Sequence, residues 1–149
     1  MKTLAPLLLL TLAAGCLHAA DKTPPPRTPI RPISECMRID QINDWHVLDA
    51  RTATVSNGPH YYRVNLAAHC PRLGFGPSGL MFRANDSNRT LGNSRICGEV
   101  GETVRSTQQP PCAIQSVVKI SKSEYQRLNK HARKSGSAAD QPTLAPHHP

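Results

Sequence analysis

Asn57-Gly58-Pro59-His60-Tyr61-Tyr62-Arg63-Val64-Asn65-Leu66 is the stretch on which the fold turns. Tyr62, Val64 and Leu66 alternate with Tyr61, Arg63 and Asn65, and a period of two marks a strand with one face in a core. Asn57-Gly58 ahead of it signals a hairpin, because both residues tolerate positive φ. Pro59 lacks an N–H, so it belongs at the first position of the strand or on an edge.

Outward from this hairpin the chain continues to read as short strands. Residues 53–56 enter the turn, preceded by 45–49, in which Trp45 and Val47 share a face. Residues 37–42 predict a first strand, Leu80, Phe82 and Ala84 alternate again, and 103–106 form a short strand. In 113–120 the expected buried face is Ile114, Val118 and Ile120, with Ser116 as its polar member. Strands punctuated by Gly, Pro and Asn predict a mainly β fold, a small antiparallel barrel or sandwich. Two long loops separate them, residues 69–79 (HCPRLGFGPSG) and 85–95 (NDSNRTLGNSR). Loops of that length are uncommon in a compact domain and often functional; the plainer reading is a surface loop pinned by a disulfide.

At the carboxyl end, Ser121-Lys122-Ser123-Glu124 fits a capping box, with Ile120 and Tyr125 placed as a hydrophobic staple. A short helix is expected from there to about Lys134, with Tyr125 and Leu128 touching the domain and Gly136 suited to a stop. Residues 135–149 have the composition of a disordered tail.

The amino end reads as an export signal. Lys2 precedes an apolar run over residues 4–14, broken by Pro6 and Thr11; as a helix it spans about half of a ~30 Å hydrocarbon core, too short to cross. Leu12-Ala13-Ala14-Gly15-Cys16 resembles a lipobox, in which the Cys16 sulfur takes up a diacylglyceryl group. It departs from that pattern with Ala13 where Leu is favoured, and cleavage after Ala19 is the alternative. Leu17, rather than an acidic residue, follows the cysteine and points to the outer membrane. Residues 21–32 hold five prolines and form an extended tether of roughly 35 Å. The expected organisation is a signal over 1–20, a tether over 21–33, a β-domain over 34–120, a basic helix over 121–134 and the tail.

A domain of ~90 residues buries only ~60–65% of its extended surface, so its stability is marginal without staples. Cys36, Cys70, Cys97 and Cys112 remain after export, and four thiols in an oxidising compartment read as two disulfides. Three pairings are possible. Tying the ends of the domain together favours Cys36 with Cys112 and Cys70 with Cys97. No Cys-x-x-Cys spacing suggests zinc.

The formal charge is +8 over 149 residues. Lys119, Lys122, Arg127, Lys130, Arg133 and Lys134 stand against Glu124 alone in the region of the expected helix. Near an anionic surface each contributes ~1 kcal/mol, so lipopolysaccharide or acidic lipid is the expected partner, with an unidentified envelope protein as the other. The plainer reading is a solvated helix face. Aromatic ladders and groove-reading motifs are absent, which argues against specific nucleic-acid recognition.

Enzymatic signatures are missing: there is no Gly-x-Ser-x-Gly, His-Glu-x-x-His or phosphate-cradling glycine loop. His46, His60 and His69 are scattered, and His147 and His148 lie in the tail, so no metal or other cofactor is expected. Asp40, Asp44 and Asp49 flank Trp45; paired carboxylates can do acid–base work, but near strand ends they read as solubilising charges. Asn85-Asp86-Ser87 and Asn88-Arg89-Thr90 match glycosylation sequons by chance.

Cys36, the Tyr61-Tyr62-Arg63-Val64-Asn65-Leu66 strand, Cys70-Pro71-Arg72-Leu73-Gly74-Phe75, Arg95-Ile96-Cys97-Gly98 and Cys112 together resemble an uncharacterised family of small exported four-cysteine proteins of gram-negative bacteria. The likeness covers residues 36–120 and departs after Gly98, where Glu99-Val100 replaces the family's Asp. It implies an envelope domain and carries no catalytic residue across. The expected function is therefore a lipid-anchored, non-enzymatic binding or structural module that touches the membrane through its anchor. The alternatives are a periplasmic inhibitor or chaperone-like protein binder, and then a small secreted enzyme.

Overall fold

In the computed structural model the described residues are 32–90 and 94–137. The expected signal with Cys16, nearly all of the proline tether and the tail beyond Ser137 lie outside them.

The hairpin forms as its alternation requires. Strands β3 (Thr52–Asn57) and β4 (His60–Leu66) pair from Asn57↔His60 to Thr52↔Asn65. The two-residue loop is Gly58-Pro59, with Gly58 at φ 56°. A positive φ followed by the ring-fixed negative φ of proline is the sign pattern of a type II′ turn, which matches the twist of the flanking strands. Asn57 stays in the strand, and its side-chain amide bonds both the N–H and the carbonyl of Arg38. Tyr62, Val64 and Leu66 are buried, each at 2 % exposure or less.

Around this pair a curled antiparallel half-barrel assembles in the order β5-β7-β8-β4-β3-β2-β9. Its other members are β2 (Ile42–Asp49), β5 (Met81–Arg83), β7 (Thr103–Arg105), β8 (Cys112–Ile120) and β9 (Lys134–Ser137). Trp45, Val47, Val55, Val64, Ile114 and Val117 meet inside it, joined by Leu73 and Leu80 from the flanking loop. That loop, residues 69–79, lies directly on Trp45: a Cβ at Gly79 (φ 55°) would stand 2.8 Å from Trp45 Cζ2.

Two register shifts change which side chains face inward. In β2 an extra residue between Ile42 and Asp44 puts even-numbered Ile42 on the same face as Trp45 and Val47. In β8 a shift opposite Asn65 and Leu66 breaks the expected Ile114, Val118, Ile120 face. Ile114 and Val117 are the buried pair, while Val118 and Ile120 turn to the outer face with Ser116. A bulge inserts one residue, and every side chain beyond it changes sides.

The expected first strand, 37–42, is broken by a 3-10 turn over Ile39–Gln41. Its opening piece, β1 (Met37–Arg38), leaves the main sheet and pairs with β6 (Arg95–Ile96). The disulfides follow from this pairing and correct the expected connectivity. They join Cys36 to Cys97 and Cys70 to Cys112. Met37 opposes Ile96, so the next pair outward is Cys36 and Cys97, with Cα atoms 4.5 Å apart. That is the separation of a cross-strand pair. The second disulfide forms because Leu66 opposes Ile114, which carries the chain after β4 alongside the start of β8.

Beyond Cys97 the turn into β7 is held by Glu102, which is fully buried. Its carboxylate accepts from the backbone N–H groups of Cys97, Gly98 and Glu99 at 2.6–3.0 Å. Burial pushes its carboxyl above the usual range, and those three N–H groups pull the other way.

Helix α1 (Asp86–Thr90) forms within the expected loop over residues 85–95, and helix α2 (Lys122–Asn129) starts where the capping pattern places it, with Ser121 Oγ accepting from the Glu124 N–H. The Glu124 carboxylate lies 3.6 Å from Arg63 Nη1. The helix ends at Asn129, five residues before the expected stop at Lys134. The N–H groups of His131 and Ala132 close tight turns onto Leu128 and Asn129, and the Arg133 N–H is taken by the carbonyl of Val47. The chain then adds to the sheet as β9, so residues 135–137, expected in the disordered tail, form strand, and Gly136 lies opposite Trp45.

Candidate functional site

Helix α2 covers the outer face of the sheet. Tyr125 packs against Tyr61 with ring centroids 4.6 Å apart, and His46 meets it edge-on at 5.6 Å. Thr54 and Ser56 are buried on this face, and Thr54 Oγ1 donates to Asn129 Oδ1. Burial pushes the Tyr125 phenol up to about 12, with Asn129 offsetting part of the effect. Burial also lowers the His46 imidazole, against the opposing charge of Asp44.

The arrangement with binding character lies on the other side, where β9 meets the long loop. A groove of about 260 Å³ opens between the end of β2, residues 70–75 and the start of β9. Its walls are Val47 and Leu73, both in the core, with Pro71, Phe75 and Cys70. Register places Lys134 opposite inward-facing Val47. Its ammonium lies 3.5 Å from the centroid of the Phe75 ring, and Arg133 stands beside it. Phe75 is 45 % exposed, one of three large apolar side chains exposed among the described residues. Asp49, also in the wall, accepts from the Arg51 N–H at 2.7 Å. No ion pair joins Arg133 or Lys134 to a carboxylate among the described residues. An apolar trough lined by two cations and one carboxylate is net positive and suits an anion that carries an apolar part.

The loop that forms this wall is fixed from behind. The Cys70–Cys112 bond ties it to β8, Gln109 Nε2 donates to both sulfurs, and the Gly74 N–H donates to Ser106 Oγ at 2.7 Å. A wider, more polar cavity of about 590 Å³ lies among Ser78, Met81 and residues 105–110.

The six cations expected on one basic helix are distributed over four settings. Lys119 is on β8, Lys122 and Arg127 are on α2, Lys130 caps it, and Arg133 and Lys134 belong to the turn and β9. The structure brings Arg133 and Lys134 into the groove, and the other four do not line it. Sequence reasoning missed Phe75 and the walls formed by Val47 and Leu73. The available signal was an aromatic side chain between two glycines, Gly74 and Gly76, in an otherwise polar and proline-rich loop.

The remaining candidates are dispersed. Asp40 pairs with Arg38, whose hydrogen bond holds its carboxyl below the usual range, while Asp44 lies on the outer side of β2 and Asp49 in the groove. His60 and His69 are exposed. Among the described residues no three His, Cys, Asp or Glu side chains stand together to hold a metal ion. The same residues include no helix long and apolar enough to cross a membrane.

Comparison with known proteins adds a family and nothing about activity. No curated protein and no solved structure matches the chain. The model of a family of unknown function, DUF6491, matches residues 1–136, and the chain belongs to that family.

Proposed function

We propose that this protein is an exported, non-enzymatic module of the gram-negative cell envelope, anchored to the outer membrane through lipid on Cys16, that binds an anionic envelope component. Lipopolysaccharide and acidic lipid are the partners its charge favours. The observation that carries this reading is the placement of Arg133 and Lys134 at the mouth of an apolar groove. The export pattern over residues 1–20 and two disulfides agree with an oxidising compartment. The four-cysteine envelope pattern points the same way.

Co-sedimentation tests the binding. The unlipidated protein carrying Cys16→Ser is expected to pellet with vesicles of phosphatidylglycerol and phosphatidylcholine, to do so less as salt rises, and to stay in solution with phosphatidylcholine alone. Equal pelleting with both vesicle types, or binding indifferent to salt, overturns the reading. Intact mass of the membrane-extracted protein tests the anchor: diacylglyceryl and acyl mass on a chain beginning at Cys16 is expected, and a chain beginning at Ala20 refutes it.

A further inference from the structure

We infer that the groove beneath Lys134 binds one anionic single-chain amphiphile, with the chain against Val47, Leu73 and Phe75 and the head group on Arg133 and Lys134. The inference rests on the envelope-binding reading and names the ligand class for its site.

Three observations select this occupant. Val47 and Leu73 form a floor already shielded from water, but Phe75 is 45 % exposed and Pro71 is exposed, so a bare inorganic anion leaves these two in contact with water, whereas a hydrocarbon chain removes them from it. The lining carries two cations without ion-pair partners among the described residues against the single carboxylate of Asp49, so its charge is net positive. A neutral amphiphile therefore forgoes the electrostatic part. Size limits the occupant: about 260 Å³, at the roughly 30 Å³ that one water takes up in the liquid, holds about nine groups of water size. That fits a chain of about eight carbons, or the end of a longer one, with its head group at the rim.

The Phe75 ring gives the site its geometry. With the ligand absent, the Lys134 ammonium rests over the ring. The ammonium lies on a flexible four-carbon stem, so it can turn toward an incoming anion while the ring stays against the chain. The loop carrying Phe75 does not need to move, because Leu73 is in the core and Cys70 is in a disulfide.

Calorimetric titration of the full chain carrying Cys16→Ser, exported and purified with both disulfides formed, tests the inference. Octyl phosphate below its micellar concentration is expected to bind with a stoichiometry of one. Octyl glucoside, with the same chain and no charge, and inorganic phosphate, with the charge and no chain, are each expected to bind at least tenfold more weakly. Arg133→Gln with Lys134→Gln should weaken octyl phosphate binding tenfold or more, and Phe75→Ala several-fold, at unchanged far-ultraviolet circular dichroism. Lys122→Gln with Lys130→Gln should leave it unchanged. Phe75 lies outside the core and is 45 % exposed, so Phe75→Ala remains informative if the double variant does not fold.

Octyl glucoside or inorganic phosphate binding as tightly as octyl phosphate overturns the inference. So does binding that Phe75→Ala leaves intact, or no binding at all. If octyl phosphate fails while anionic vesicles still bind, the groove assignment falls and the envelope reading stands on its surface cations. If both fail, both fall. Octyl phosphate binding without vesicle binding upholds the groove, with dispersed amphiphile as its source.

Discussion

The Lys134 ammonium stands 3.5 Å from the centroid of the Phe75 ring, joining the edge strand β9 to a loop distant from it in sequence. Cation–π contacts at partly exposed sites contribute ~0.5–1 kcal/mol. A double-mutant cycle of Lys134→Gln and Phe75→Ala, read by urea denaturation, should return a coupling of about that size. A coupling near zero shows that the two side chains do not hold each other in solution.

The disulfides give a direct test of topology. Digestion without reduction should yield the Cys36–Cys97 and Cys70–Cys112 peptides. The sequence separations are 61 and 42 residues, for which chain entropy predicts ~4 kcal/mol each. Cys36→Ala with Cys97→Ala, and Cys70→Ala with Cys112→Ala, should therefore each lower unfolding stability by ~2–5 kcal/mol. The second pair should also loosen the groove wall. A Cys36–Cys112 peptide from native protein would refute the β1–β6 pairing.

Glu102→Gln tests the buried carboxylate. Three backbone N–H groups point at its oxygens, and an amide sets its own N–H₂ against one set of these donors. A loss of ~1–3 kcal/mol in chemical denaturation is expected from donors left unpaired in the interior. Stability equal to that of the native protein would mean that the turn is held by the adjacent disulfide alone.

His46 gives the fold a dependence on acid. Burial lowers its pKa below the unfolded value of 6.5, so the folded state binds fewer protons than the unfolded one in that range. Its stabilising contribution is present above about 6.5 and is lost as pH falls through the lower folded value. The urea midpoint should fall more between pH 7.5 and 5 in the native protein than in His46→Gln. Parallel pH profiles for the two proteins would show that the imidazole stays solvated.

Local pattern carried much of this protein. The alternation in β4 and the Ser121 cap depend on neighbours within a few residues, and both stand where the sequence places them; the turn before β4 falls one residue later than Asn57-Gly58, so Pro59 lies in the loop and not at the first position of the strand. The mainly β, antiparallel, two-disulfide character followed from the same signals. The inner face of β8 was lost because its bulge has no local signature: one extra residue opposite Asn65 and Leu66 exchanges Val118 for Val117. The helix length was lost because Arg133 has a better use for its N–H, on the carbonyl of Val47, than a further helical turn offers.

What the sequence by itself determined is therefore the material: strand-forming alternation, four cysteines for two bonds, and a concentration of positive charge between Lys119 and Lys134. Only the tertiary structure decided which cysteines meet, and which two of six cations stand beside Phe75 over a trough. Both outcomes depend on strand register between segments far apart in the chain. Register is fixed by the burial of whole faces, a sum over many side chains that no short stretch contains.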